Sequence, residues 1–195
     1  MDGYVLTNFF VYAIVNAFTP GPGNILALNT VTSYGWKKGK PLFFGIFIGY
    51  YVVQMICAFF VYGIGLFLPA VLQVMKYMGT AYILWLAIHI AISKPKIDEN
   101  KKTASFIKGF LLQFVNIKIY MFGITTLTGF ITPYSKALWV LIAFELLIAT
   151  IGTIATSTWI GVGFLIHKFY IKYYRIINIL LGLTLLECIW SMLRI

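Results

Sequence analysis

The sequence predicts an all-α polytopic membrane protein: six transmembrane helices, arranged as two inverted three-helix repeats with a broken first helix. Three observations lead there. Of 195 residues, 61% are hydrophobic and only 10% charged, too few charges to cover a soluble domain of this size. The apolar residues fall into six runs, and a span needs roughly 20 such residues. The basic residues gather in alternate segments between those runs, as the positive-inside rule expects.

The six runs are placed at Tyr4–Tyr34, Leu42–Leu68, Val71–Ile92, Phe106–Ile131, Leu138–Ile166 and Tyr173–Leu193. Together they leave a single membrane domain over residues 1–195 and no room for a soluble one. Repeat 1 covers about residues 1–92, a cytoplasmic loop about 93–104, and repeat 2 about 105–195. Gly, Pro and charge separate the runs: Trp36 to Pro41, Leu68-Pro69, Ser93–Thr103, Thr132-Pro133 and His167–Arg175. No Lys or Arg precedes the first run, which carries Asp2 instead, so that run reads as a retained span and not a signal peptide.

Lys37, Lys38 and Lys40 follow the first run. Lys94, Lys96, Lys101, Lys102 and Lys108 follow the third, and Lys168, Lys172 and Arg175 the fifth. These eleven face Lys76, Lys136 and Arg194 on the other side. The imbalance puts those three loops in the cytoplasm and both termini outside the plasma (inner) membrane. The same distribution explains the net charge of +10 without a nucleic-acid partner. Cys57 and Cys188 lie singly within apolar runs, which supports neither a disulfide framework nor a metal cluster.

The first run is interrupted by Thr19, Pro20, Gly21, Pro22, Gly23 and Asn24. As one straight helix it would measure about 45 Å against a hydrocarbon core of roughly 30 Å, so the interruption falls at bilayer depth. Pro20 and Pro22 have no N–H, which leaves the carbonyls of Asn16 and Phe18 without helical donors. A helix restarting near Pro22 leaves N–H groups of Gly21, Gly23, Asn24 and Ile25 at its positive end. Such groups are tolerated at that depth only inside protein or beside a water-filled cavity. A zwitterionic amino acid would suit them, carboxylate on the N–H groups and ammonium on the carbonyls. The bland alternative is a kinked helix satisfied by Thr19, Asn24 and its neighbours.

Gln113, Asn116 and Lys118 interrupt the fourth run. Lys118 stands about 15 Å beyond Lys108, near the midplane, where a lysine costs roughly 2.5–3.5 kcal/mol and should face the bundle interior with a partner. Glu145 is the deepest acid and a candidate for proton coupling, with Lys118 as its nearest partner by depth. Glu187, seven residues from Arg194, reads as an outer-interface residue or a structural bond. Gly45 and Gly49 in the second run read as a close helix contact. His89 and His167 fall at interfaces.

Phe18 to Asn24, followed by Gly35-Trp36-Lys37-Lys38-Gly39, resembles the signature of the lysine-exporter (LysE) family, amino-acid exporters that include the homoserine and threonine exporters. Gly109, Gln113, Asn116 and Lys118 resemble its second motif, usually Asn-Pro-Lys, with Ile117 here in the proline position. The resemblance implies efflux of small amino acids or related compounds, driven by the proton or another ion gradient, without a cofactor and without enzymatic activity. Expected partners are the amino acid, the coupling ion and the bilayer; a homodimer stays open. No nucleotide-binding loop occurs, since Gly39-Lys40 is followed by Pro41. A cation or metal-ion exporter, or another small-solute permease, is the alternative. An acyltransferase built on Asp98 and His89, or a thiol oxidoreductase, has too few of the residues its chemistry needs.

Overall fold

The computed structural model describes residues 2–63, 68–93 and 104–194, and these are helical throughout apart from short turns. In chain order they form α1 (Gly3–Phe18), α2 (Pro22–Gly63), α3 (Leu68–Ile92), α4 (Phe106–Val115), α5 (Ile117–Thr126) running into a π-helical turn (Leu127–Ile131), α6 (Leu138–Leu165) and α7 (His167–Arg194). Most of the expected polar loop, with Lys94, Lys96, Lys101 and Lys102, lies outside the described residues.

Among the described residues, Pro22–Gly63, Leu138–Leu165 and His167–Trp190 are long and apolar enough to cross a membrane. The pair Phe106–Val115 and Ile117–Ile131, bent by 56°, makes a fourth if taken as one span. Gly3–Phe18 and Tyr77–Ile92 are shorter apolar helices.

Two connections expected as loops are helical. α2 continues past the first basic segment, turning at Gly35, whose φ of 72° is open to glycine but costly for other residues. Beyond the turn, Trp36 stacks on Phe43 with centroids 5.6 Å apart, and the Lys40 ammonium lies over the Trp36 ring at 5.7 Å. The Lys38 carbonyl accepts from Ala104 N–H at 2.8 Å, which ties the far side of the polar loop to this turn. α7 likewise begins at His167 and bends at Tyr173. Lys and Arg are good helix formers, so these basic segments take up helix again beside each turn.

Glycines set how closely the helices approach. Gly45 on α2 and Gly109 on α4 face each other's backbone: a Cβ on Gly45 would strike the Phe106 carbonyl, and one on Gly109 the Leu42 carbonyl. Gly49 continues the contact, 2.9 Å from the Phe110 carbonyl on the same measure. α3 and α7 form a second pairing, in which Gly182 lies against Ala87 and Ala91.

Gly45→Ala or Gly109→Ala should therefore push α2 and α4 apart and cost about 1–3 kcal/mol. Gly161→Ala, where a Cβ meets open space, should cost little. Thermal unfolding of the detergent-solubilised variants checks the difference.

Candidate functional site

The site is built where two helix breaks meet. α1 ends at Phe18 because neither Pro20 nor Pro22 can donate, and α2 starts at Pro22, where the missing N–H costs nothing. α4 ends at Asn116, whose ψ of 87° leaves the helical region, and α5 begins at Ile117. The second break thus forms with isoleucine in the proline position. Asn116 N–H turns back to the Gln113 carbonyl at 3.4 Å, and Ile119 N–H resumes on the Asn116 carbonyl at 3.1 Å.

Carbonyls at the first break are taken up by side chains from four helices. Asn24 Nδ2 donates to Ala17 O at 3.0 Å and to Thr19 O at 3.3 Å. From α6, Trp159 Nε1 reaches Phe18 O at 3.2 Å. From α5, Lys118 Nζ donates to Thr19 O at 2.8 Å. From α7, the Cys188 thiol points at Pro20 O at 3.8 Å. Thr156 on α6 fixes the amide of Asn24 by donating to its Oδ1 at 2.8 Å. Ile25 is not a free donor, contrary to expectation, because its N–H bonds Gly21 O at 2.9 Å. Gly21, Gly23 and Asn24 keep N–H groups at the start of α2 with no partner among the described residues.

Gly21 packs against Lys118, its Cβ position 3.2 Å from Nζ, and Gly23 packs against Gln113, 3.2 Å from Oε1. The sequence-selected residues of both breaks thus converge. They border two adjoining spaces. An inner recess of about 20 Å³, hardly more than one water, is walled by Asn16, Asn24, Gln113 and Asn116. An outer cavity of about 360 Å³ runs between the two breaks and α7, with Lys118, Thr19 and Glu187 supplying its polar wall and Tyr12, Met121 and Phe122 its apolar one. That volume falls within the range of small-molecule sites.

Glu145 lies elsewhere. It is fully buried on α6, packed against Gln54 of α2 and Gly123 of α5, and neither carboxylate oxygen has a hydrogen-bond partner among the described residues. The pairing with Lys118 expected from depth does not form. Lys118 and Gly123 are five residues apart on one helix, hence about 140° apart around it, and depth alone carries no azimuth. The carboxylate that shares a cavity with Lys118 is Glu187. α7 leans on the first break, which brings Glu187 and Cys188 to the cavity.

A family model described as "LysE type translocator" matches residues 14–188. The chain belongs to the LysE type translocator family. It is a multi-pass membrane transporter and not an enzyme. Among curated proteins it is similar to the "Cysteine/O-acetylserine efflux protein" of Salmonella choleraesuis (strain SC-B67) and that of Salmonella typhimurium (strain LT2), each 39% identical over 96% of this chain and 97% of the relative. The protein of the same name from Escherichia coli (strain K12) is 37% identical over the same shares. No solved structure matches the chain. Family and geometry agree on the first motif, since its prolines, glycines and asparagine make the break. Trp159 was missed because it sits within α6, outside any motif, and Glu187 read as an outer-interface residue or a structural bond and not as part of a cavity.

Asn24→Ala strands the Ala17 carbonyl and the Thr156 hydroxyl in a buried position and should cost about 1–3 kcal/mol. Thr156→Val should cost less, since Asn24 keeps its donor bonds. A comparison of unfolding midpoints in detergent checks the order.

Proposed function

We propose that this translocator exports small amino acids such as cysteine or O-acetylserine from the cytoplasm, with the outer cavity between the two helix breaks as its transport site. The observation that carries the reading is Lys118, a cation from the second break anchored on the Thr19 carbonyl of the first, while Gly21, Gly23 and Asn24, whose N–H groups have no partner among the described residues, line the adjoining recess that Lys118 also borders. An ammonium group has three donors, of which Thr19 takes one, so Lys118 can hold a solute carboxylate while anchored. The relatives' substrates are compact amino acids of a size the cavity admits. The runner-up, a cation or metal exporter, has less support: among the described residues, no three His, Cys, Asp or Glu converge.

The proposal includes six spans in two inverted repeats, both termini extracytoplasmic. The 42-residue α2 would extend about 63 Å if straight, twice the hydrocarbon thickness; in this reading the turn at Gly35 separates a first part that completes the broken first span with α1 from a second part that forms the second span. Each half then opens with a broken span, the plan of inverted-repeat transporters. The basic-residue imbalance supplies the orientation. Glu145 is the proposed proton-coupling group, a buried carboxyl without a hydrogen-bond partner among the described residues, which a proton would neutralise.

Everted vesicles test these assignments together. Wild-type protein should accumulate labelled O-acetylserine under a proton gradient and lose accumulation when a protonophore collapses it. Lys118→Ala should insert normally and lose export at least about tenfold, the worth of one charge-assisted hydrogen bond. Glu145→Gln should equilibrate the solute without concentrating it. Wild-type accumulation in Lys118→Ala would remove the site, and accumulation indifferent to the protonophore would remove the coupling.

A further inference from the structure

We infer that Glu187 binds the α-ammonium group of the solute and, with Lys118, restricts the cavity to molecules carrying both a free carboxylate and a free ammonium. The inference rests on the cavity being the transport site. Glu187 and Lys118 come from different helices, α7 and α5, and line the same space of about 360 Å³. The register of α7 is fixed there by the next residue, Cys188, whose thiol meets Pro20 O at 3.8 Å. One cavity thus carries one cation and one carboxylate, the charge complement of a zwitterion.

The neutral acceptors of the inner recess compete for the ammonium role. Asn16 Oδ1, Gln113 Oε1 and Asn116 Oδ1 all lack hydrogen-bond partners among the described residues. The recess admits little more than a water, however, and an ammonium group leaving water needs a counter-charge more than another amide. A bond to an ionised acceptor is about twice as strong as one to a neutral acceptor. Glu187 supplies the charge at the cavity large enough for the solute, and the apolar side formed by Tyr12, Met121 and Phe122 takes a short side chain.

Cys188 gives a readout that does not depend on transport. It lines the cavity and is half-buried, whereas Cys57 is fully buried. The rate of Cys188 alkylation by N-ethylmaleimide is measured on purified protein with O-methylserine, its N-acetyl derivative or its carboxamide as protectant. O-methylserine should protect wild-type protein at concentrations at least about tenfold below either derivative. Glu187→Gln should erase its advantage over the N-acetyl compound and keep its advantage over the carboxamide; Glu187→Asp should restore part of the first. Unchanged discrimination in Glu187→Gln overturns the inference, as does its loss in Asn16→Leu with Glu187→Gln unaffected. If O-methylserine gives no protection to a wild-type protein that exports amino acids, the cavity is not the transport site, and the underlying reading falls with the inference.

Discussion

In hydrocarbon, a backbone carbonyl has no water to accept from, and leaving it unpaired costs several kcal/mol. A span broken by Pro20 and Pro22 therefore folds only if other parts of the chain bring donors to it. Here the donors are an amide from the restarted helix, an indole from α6, a lysine from α5 and a thiol from α7. The interaction on which most depends is Lys118 on Thr19 O. It places a positive charge at the first break and joins the two interrupted spans at one point.

Glycine packing makes that meeting possible. The reciprocal contact of Gly45 and Gly109 brings α2 and α4 to backbone distance, and Gly49 holds Gln113 along the same seam. The Asn116 break thereby lies opposite the Thr19–Asn24 break. α7 closes the remaining side through Cys188 and Glu187. Buried Glu145 stands apart from this arrangement, against Gln54 and Gly123. Charge for the solute and charge for coupling are thus proposed to occupy different places, linked through α5, which carries both Lys118 and Gly123.

Sequence periodicity and composition made the helical, membrane character legible, and Pro20 and Pro22 made the first break legible, because proline acts through local chemistry. At the second break the polar residues Gln113, Asn116 and Lys118 were legible, but with Ile117 in the proline position the break itself was not. What stayed hidden was azimuth. Depth along a helix follows from counting residues, but the side a residue faces depends on packing. Glu145 was therefore matched to Lys118 at equal depth, while the structure turns it toward Gln54. For the same reason the sequence did not show that Glu187 lines a cavity with Lys118. Helical structure was also hidden just beyond Gly35 and from His167, where the basic segments read as loops but fold as helix beside a turn.

The central claim, that the solute carboxylate sits on Lys118 between the two breaks, is open to a direct distance measurement. Protein with ¹⁵Nζ-labelled lysine, reconstituted with carboxyl-¹³C O-methylserine, gives a dipolar coupling by solid-state NMR. The account predicts a ¹⁵N–¹³C separation within about 4 Å, the reach of a charge-assisted hydrogen bond, and loss of that coupling in Lys118→Arg, which keeps the charge without the label. Bound solute with no such coupling in the wild type, or with a coupling that survives Lys118→Arg, would contradict it.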